Sequence, residues 1–270
     1  MKLVTVALAL AAGAAAAVDA AAPPVAEAPG LVVSQSGRIY VEGRQVARGT
    51  EPVWSPDRRR IAYQRLGEIY VADADGRNER RLTRTAQPEH APAWSPDGRT
   101  IAYAGIRDVF TVPSSGGRAT NLTRSPKPWL IRTTPAYAPD GRTLAISAST
   151  DAFNSDVFLV RADGKGMRRL TRTQGTHDRF AEESMPSFSP DGKRVVYTSN
   201  RDGNGELYVI GVDGRGERRL TRTPRQDEAH PRYSRDGTRI LYARDGRIAH
   251  MRAGGGDVRE LGLGTSADWR

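Results

Sequence analysis

Short runs of alternating apolar and polar residues fill most of this chain, and turns that contain Gly or Pro separate them. Thr100–Ala104 (TIAYA) is one such run, and it follows the turn Ser95–Gly98 (SPDG). A two-residue period between Asp-Gly turns is typical of antiparallel strands joined by tight hairpins. The pattern therefore predicts an all-β protein.

One ten-residue pattern occurs five times along the chain. It reads WSPDGRTIAY from Trp94, and the other copies begin at Trp54, Tyr137, Phe188 and Tyr233. Each copy joins a strand that ends in the aromatic residue to a second strand, and a third strand and a short fourth strand of the RRLTRT type follow. Four short strands in a unit of roughly 40–45 residues match one blade of a β-propeller.

The segments outside the five copies predict a sixth blade that is divided between two distant parts of the chain. Residues 31–48 resemble a second, third and fourth strand, and residues 267–269 resemble a first strand with Trp269 at the aromatic position. Pairing the C-terminal strand with the N-terminal strands would remove an open sheet edge. The alternative is that Trp269 caps the fold from outside. We expect a six-bladed β-propeller over residues 31–270, with four antiparallel strands in each blade.

The N-terminal stretch has the order of a secretory signal. Met1-Lys2 precedes an Ala-rich apolar run that ends in small residues, which predicts a signal peptide over residues 1–20, cleaved after Ala17 or Ala20. The run is less apolar than a membrane helix and has no basic flank after it, so no transmembrane segment is expected after cleavage. Residues 21–30 are predicted to be a disordered tether. We expect a periplasmic or secreted protein.

The chain has 270 residues, a net charge of +10 and no cysteine. The lack of cysteine excludes disulfides, thiol nucleophiles and thiolate metal ligands. A basic surface could hold an anionic envelope polymer, although the arginines could equally be solvated on blade edges. The chain has no long Lys/Arg run and no RNA-binding aromatic motif, so nucleic acid is not an expected partner.

Sequence motifs of common enzymes are missing. The chain has no G-x-S-x-G elbow, H-E-x-x-H pair, phosphate loop or dinucleotide fingerprint. A non-catalytic scaffold is therefore the preferred hypothesis. The alternative is a propeller enzyme or binder that acts on acidic polysaccharide, in the manner of a uronate lyase.

The repeated W/F/Y-S-P-D-G-R-x-I-A-Y, followed by E-I-Y-V and R-R-L-T, resembles the WD-like propeller repeats of the TolB family. The resemblance spans residues 31–270 and does not include the α/β domain that precedes the propeller in TolB. TolB-family proteins are periplasmic partners of the peptidoglycan-associated lipoprotein, which docks on the propeller. The resemblance therefore implies a monomeric scaffold that binds such an envelope protein or peptide.

The loops between fourth and first strands are expected to share one face of the propeller with the loops between second and third strands. In each repeat a Pro stands two residues before the repeated aromatic residue. Several of these connections carry a Glu three residues before that Pro, and some carry a His. A ring of acid, imidazole and guanidinium groups around one channel mouth is therefore predicted, made by Glu89, His90, Arg132, Glu183, Glu228 and His230. The two His belong to non-adjacent blades with no close second ligand, so no metal or other cofactor is predicted.

Two loops on the predicted binding face are longer than their counterparts. Residues 124–134 contain Trp129, and residues 172–185 contain the group His177, Arg179 and Phe180. Exposed Trp, Phe and Arg are enriched at interface hot spots, so these residues are predicted to contact the partner. The alternative is that Trp129 or Phe180 folds back and plugs the end of the channel.

Overall fold

The structure is a computed structural model that describes residues 30–124, 130–131, 134–149, 154–172 and 181–269. Across these ranges every helix or strand assigned is a β-strand. In the same ranges no helix is long and apolar enough to cross a membrane. The predicted signal peptide, residues 1–20, and residues 21–29 of the predicted tether lie outside the described part of the chain.

The strands in chain order are β1 (Leu31–Gln35), β2 (Arg38–Val41), β3 (Arg44–Arg48), β4 (Thr50–Trp54), β5 (Arg60–Arg65), β6 (Glu68–Asp73), β7 (Arg80–Arg81), β8 (His90–Trp94), β9 (Thr100–Ala104), β10 (Val109–Pro113), β11 (Thr120–Asn121), β12 (Leu130–Ile131), β13 (Ala136–Tyr137), β14 (Thr143–Ser149), β15 (Asn154–Arg161), β16 (Arg168–Arg169), β17 (Ala181–Phe188), β18 (Arg194–Ser199), β19 (Glu206–Gly211), β20 (Arg218–Arg219), β21 (Glu228–Tyr233), β22 (Arg239–Arg244), β23 (Arg247–Arg252), β24 (Arg259–Leu263) and β25 (Ser266–Trp269).

Strands that are consecutive in the chain pair into four-stranded antiparallel sheets. The groups β4–β7, β8–β11 and β21–β24 are each one such sheet. The groups β13–β16 and β17–β20 have the same internal order, and two parallel residue pairs between β15 and β17 join them into a larger sheet, in which β12 also pairs with β14. The predicted all-β class and the four-stranded antiparallel sheets are confirmed.

The first and last described strands lie side by side. β25 pairs antiparallel with β1, from Leu31 opposite Trp269 to Ser34 opposite Ser266, and the sheet has the order β25-β1-β2-β3. The Trp269 indole N–H also donates to the carbonyl of Arg232 at 3.3 Å, which connects this sheet to β21. Two distant parts of the chain therefore complete one sheet and contact the sheet beside it.

The apolar core lies between facing sheets. One cluster combines Val53 and Ile69 of β4–β7 with Trp94 and Tyr103 of β8–β11. Here the Trp94 indole N–H donates to the carbonyl of Val53 at 3.3 Å, so the ring both packs against the neighbouring sheet and hydrogen bonds to it. The repeated aromatic residue therefore packs between neighbouring sheets.

The repeated Ser-Pro-Asp-Gly turn holds itself together by hydrogen bonds. Ser95 Oγ donates to Asp97 Oδ1 at 2.6 Å, and the same oxygen accepts the Arg99 N–H at 3.0 Å. Gly98 has a φ of +68°, where a side chain would be strained, and it packs on Pro56 of the preceding turn. The Ser–Asp bond recurs in Ser55–Asp57, Ser189–Asp191 and Ser234–Asp236. The turn residues recur because they build the scaffold.

Candidate functional site

The first strands of several sheets line a narrow axial cavity. The first strands β4, β8, β17 and β21 each contain a β-bulge, and the residue before the Pro in each of them has a positive φ of 54–55°, namely Glu51, Ala91, Met185 and His230. Side chains at this position bind the backbone of the next sheet. Glu51 Oε2 accepts the Ala91 N–H at 2.7 Å, and Met185 Sδ accepts the His230 N–H at 3.2 Å.

His230 helps to fill this cavity. The lining includes Glu51, Thr134, His230, Arg232 and Ser266, and the space that remains between the lining residues is about 10 Å³. That space holds at most one water molecule. Burial lowers the pKa of His230, Arg232 lowers it further, and the nearby Glu51 carboxylate acts in the opposite direction. His230 is therefore a neutral, packed side chain at this level of the axis, where no ligand of useful size fits.

The structure gives the predicted acid and imidazole groups different surroundings. His90 begins β8 and is partly exposed, and His230 lines the axial cavity. The carboxyl groups of Glu89, Glu183 and Glu228 are buried, and none of the three lines that cavity in the described part of the chain. Because Arg132 lies outside the described residues, the ring as a whole stays a prediction.

Each of the three glutamates has its own partner. Thr85 Oγ1 donates to Glu89 at 3.0 Å, Arg201 Nη2 donates to Glu183 at 2.5 Å, and Thr223 Oγ1 donates to Glu228 at 2.6 Å. The predicted contact residues Trp129, Arg132, His177, Arg179 and Phe180 lie outside the described residues, so their role stays a prediction.

The RRLT motif has a structural role that the sequence did not reveal. The third strand of several sheets begins with a buried carboxylate, such as Glu206, whose Oε1 pairs with Arg219 at 2.6 Å. Thr221 Oγ1 accepts the Leu207 N–H at 2.9 Å. The same Arg–carboxylate pair recurs as Arg81–Glu68 and Arg169–Asp156. The second arginine of the motif is therefore the partly exposed ion-pair partner of a buried carboxylate.

The first arginine of the motif bridges neighbouring sheets. Its guanidinium donates to backbone carbonyls of the next sheet in the pairs Arg80 to Ser115 at 2.7 Å, Arg168 to Val212 at 2.6 Å and Arg218 to Gly254 at 3.0 Å. These three arginines are exposed and keep their charge, so a basic belt that holds an anionic polymer stays a prediction.

Two sheets contain a stack of two tyrosines covered by an arginine. In β5–β6 the rings of Tyr63 and Tyr70 are 5.8 Å apart, the Arg65 guanidinium lies 4.0 Å above Tyr70, and it pairs with Glu79 at 2.8 Å. Stacking on an aromatic face and pairing with a carboxylate are the two interactions that a guanidinium makes best.

The other copy of the stack lies in β18–β19. The Tyr197 and Tyr208 rings are 5.9 Å apart, and the Arg201 guanidinium lies 4.2 Å above Tyr208. Arg201 pairs with both Glu183 and Glu217, at 2.5 and 3.1 Å. The two copies thus share an aromatic pair, an arginine and a carboxylate near the fourth strand.

The β9–β10 sheet has the aromatic stack, but no described arginine lies above it. Tyr103 and Phe110 are 5.7 Å apart, while Gly105 takes the strand position of Arg65 and Ala119 takes that of Glu79. What remains is a cleft of about 650 Å³. We call it the blade-three cleft because it lies on the third sheet counted from β1. It is lined by Thr85, Gln87, Glu89, Tyr103, Gly105, Ile106, Arg107, Asp108, Phe110 and Ala119.

The blade-three cleft lies where loop residues of both predicted kinds meet. Thr85 and Gln87 belong to the connection from β7 to β8, and Ile106 belongs to the connection from β9 to β10. The Ile106 side chain is 49% exposed, and Phe110 is partly exposed. Large exposed apolar side chains beside an open cleft are typical of a binding surface.

The sequence from residue 66 to residue 268 matches the family described as the TolB beta propeller domain. The chain belongs to the TolB β-propeller family. Two solved TolB structures are similar to it. A protein of Agrobacterium tumefaciens assigned as TolB is 22% identical, with a TM-score of 0.70, over 88% of this chain and 91% of that one. TolB from Acinetobacter baumannii is 21% identical, with a TM-score of 0.61, over 87% of this chain and 53% of that one.

A more distant neighbour of this TolB-family chain is an enzyme. An oligogalacturonate lyase in complex with manganese is 15% identical, with a TM-score of 0.59, over 84% of this chain and 70% of the lyase. At such identities the likeness of all three structures shows the fold alone. Among curated proteins, none matches the sequence significantly.

The residues of the described ranges do not assemble a metal-binding group in this TolB-family propeller. No cluster of three or more His, Asp or Glu side chains converges there. Sequence reasoning missed the blade-three cleft, whose residues include Gly105, Phe110 and Ala119. The available signal was departure from the repeat, since G-R-A-T-N-L-T stands where other units have an acidic residue and two arginines.

Proposed function

We propose that this protein is a non-catalytic, exported scaffold of the cell envelope. On this proposal it binds a protein or peptide partner on the loop face of a six-bladed propeller. The observation that carries the proposal is the blade-three cleft, an open and partly apolar recess formed by the loops predicted to bind. The signal peptide predicted over residues 1–20 and the periplasmic setting that the family resemblance implies support export.

The order of the apolar clusters supports a closed ring of six blades. Five clusters join successive sheets from β1–β3 to β21–β24. A further cluster packs β22 and β23 against β1 and β25, so the first and last sheets are neighbours too. Each sheet then has two neighbours, and no blade has a free apolar face.

A binding role suits the blade-three cleft better than a catalytic role does. Its one deeply buried carboxyl group, Glu89, is flanked by Thr85 and by the Tyr103–Phe110 stack. General acid–base cleavage of a polysaccharide needs two groups placed about the scissile bond, and the His residues that could assist, His90 and His230, do not line this cleft. The resemblance to the TolB family favours a partner similar to the peptidoglycan-associated lipoprotein.

Replacing Ile106 with Lys is expected to weaken partner binding at least tenfold, because a positive charge would enter the apolar rim of the cleft. The matched control is Leu66→Lys. Leu66 is 91% exposed and occupies the same place in the loop from β5 to β6, where Arg65 covers the aromatic stack. Binding is measured by titration with the purified partner, after capture from an envelope extract and identification by mass spectrometry.

Trp129→Ala tests whether the longer neighbouring loop belongs to the same surface, and it is expected to weaken binding as well. A partner that binds parent, Ile106→Lys and Trp129→Ala equally would contradict the proposed face. Metal-dependent turnover of oligogalacturonate by the pure protein would contradict the scaffold itself.

A further inference from the structure

We propose that the blade-three cleft binds the guanidinium group of an arginine side chain on the partner, stacked on Phe110 and paired with Glu89. This inference rests on the proposed function, because it names the chemistry of the partner at that surface. It is argued from the protein's own repeats, in which the same place is filled by an arginine of this chain.

The β17–β20 sheet is the template for the filled state. Its strand pairing places Glu183 opposite Ser199, and Tyr197 opposite Tyr208. Arg201 lies above the outer ring of the stack and donates to Glu183 and to the Tyr197 hydroxyl. One arginine thus covers an aromatic ring and neutralises a buried carboxylate.

The β8–β11 sheet has the receiving half of this arrangement. By strand register Glu89 corresponds to Glu183, Tyr103 to Tyr197, and Phe110 to Tyr208. The sets are Glu89, Tyr103 and Phe110 in one sheet and Glu183, Tyr197 and Tyr208 in the other. What differs is the filling group, since no arginine in the described part of the chain lies over Phe110, whereas Arg201 covers the template.

Glu89 supplies a carboxylate that the fold does not fully use. Its side chain is only 3% exposed, and Oε1 accepts from Thr85. Its Oε2 is buried with no donor at hydrogen-bond geometry among the described residues, while Thr83 and the Tyr103 hydroxyl also interact with this carboxyl group and burial raises its pKa. A buried carboxylate oxygen without a donor is costly, and a guanidinium supplies paired N–H donors as well as charge. The other acid at the cleft, Asp108, already accepts from Asn121 and Thr123.

The chain cannot fill the blade-three cleft from the strand position that Arg65 uses in β5. A Cβ atom on Gly105 would lie 2.8 Å from the Phe110 ring, so a side chain there would displace the ring. Arg107 lies at the exposed rim and makes no cation–π contact with Phe110 within the described ranges. In the described part of the chain the place over Phe110 is therefore open to an arginine of another molecule, with Arg107 of this chain at the rim.

A guanidinium fits this cleft better than an ammonium does. The recess is flat-sided, with the Phe110 ring on one side, and the planar guanidinium can stack on that ring while it directs N–H groups to Glu89. An ammonium is a compact, strongly hydrated charge that gives up more of its hydration in an apolar recess. Arginine should therefore bind more tightly than lysine.

The test is titration of the full-length mature protein with the blocked tripeptide acetyl-Gly-Arg-Gly-amide, followed by the backbone amide signals of residues 105–110 in NMR spectra. Saturable shifts at Gly105 and Ile106 are expected with the arginine peptide. The citrulline peptide, which is neutral and of the same shape, should cause no saturable shift, and the lysine peptide should bind several-fold more weakly.

Two variants change the site in opposite directions. Glu89→Gln should weaken arginine binding about tenfold because the carboxylate is lost. Ala119→Glu should strengthen it several-fold, because it restores the second carboxylate that Glu217 provides in the template. Leu66→Asp is the matched surface control and should bind like the parent. Thermal unfolding and the spectra of distant residues report whether each variant is folded.

The inference is overturned if the citrulline peptide binds as tightly as the arginine peptide, or if no saturable shift appears at Gly105 and Ile106. It is also overturned if folded Glu89→Gln binds like the parent. Failure of the proposed function is distinguishable, since a cleft that takes arginine while no envelope partner is found would contradict only the scaffold role. A partner held equally by parent and Glu89→Gln would contradict only the arginine assignment.

Discussion

Deleting residues 266–270 is expected to lower the melting temperature by at least about 10 °C and to cause aggregation. The deletion removes β25, whose four residue pairs cover the edge of β1. It also removes Ala267 and Trp269 from the apolar cluster shared with β22 and β23. Losing a packed Trp side chain alone costs about 3 kcal/mol, and the strand's hydrogen bonds are lost with it.

A second consequence of the deletion follows at the axis. Asp268 Oδ2 accepts the Trp54 N–H at 2.9 Å, so β25 binds the next sheet through a side chain as well as β1 through its backbone. Removing β25 leaves both the edge of β1 and the Trp54 N–H without a partner, and open edges promote association of chains. The measurements are thermal unfolding by circular dichroism and light scattering. Deleting Arg270 alone is the control, and a 266–270 deletion as stable as that control would refute ring closure.

The fold was largely predictable from the sequence because a repeated pattern specifies each sheet. Turn residues such as Ser95 and Asp97 make the same hydrogen bonds in several units, and the aromatic position packs between sheets each time. A local pattern that is consistent at every level predicts its structure well. The pairing between residues 31–34 and 266–269 also follows from the repeat, once the incomplete units are aligned to it.

The site was less predictable, for two physical reasons. First, a bulge is invisible in the alternation of residues, and the positive φ of His230 lies within the register shift of β21. Second, the blade-three cleft depends on what is missing. Gly105 and Ala119 are unremarkable in the sequence and gain meaning only when strand register sets them against Arg65 and Glu79.

The RRLT arginines illustrate the limit of charge counting. The sequence interpretation placed them on a solvated edge, but the side-chain contacts tie Arg219 to Glu206 and Arg218 to a carbonyl of the neighbouring sheet. In several units an acidic residue near the start of the third strand occurs together with the two arginines of the fourth strand. This co-occurrence within the repeat was the available signal. Contacts of this kind do not change the net charge of +10.

One pair of carboxyl groups makes stability depend on pH near neutrality. Glu228 is buried next to Glu206, and burial raises the pKa of Glu228 to about 7, with the Glu206 charge adding to the shift and Thr223 opposing it. Burial acts against ionisation of Glu206 as well, but hydrogen bonds from Thr221, from the Thr223 N–H and from Arg219 lower its pKa overall. Glu206 thus stays charged while Glu228 keeps its proton up to about neutral pH.

Glu228→Gln is therefore expected to be more stable than the parent at pH 8 and equal to it near pH 4.5. The folded pKa of Glu228 lies above its ordinary value of 4.5, so folding is favoured by the bound proton below that value and loses this contribution as pH rises to about 7. The whole difference is about 3 kcal/mol, or a rise in melting temperature of roughly 6–10 °C at pH 8. Glutamine keeps the bond from Thr223 and carries no charge to bury. Glu183→Gln is the matched control, because Glu183 has the same strand position but pairs with Arg201, and its loss should destabilise the protein at both pH values. Thermal melts of the three proteins at pH 4.5 and pH 8 decide the matter, and a Glu228→Gln protein that melts below the parent at pH 8 would show that Glu228 is held as a charged group.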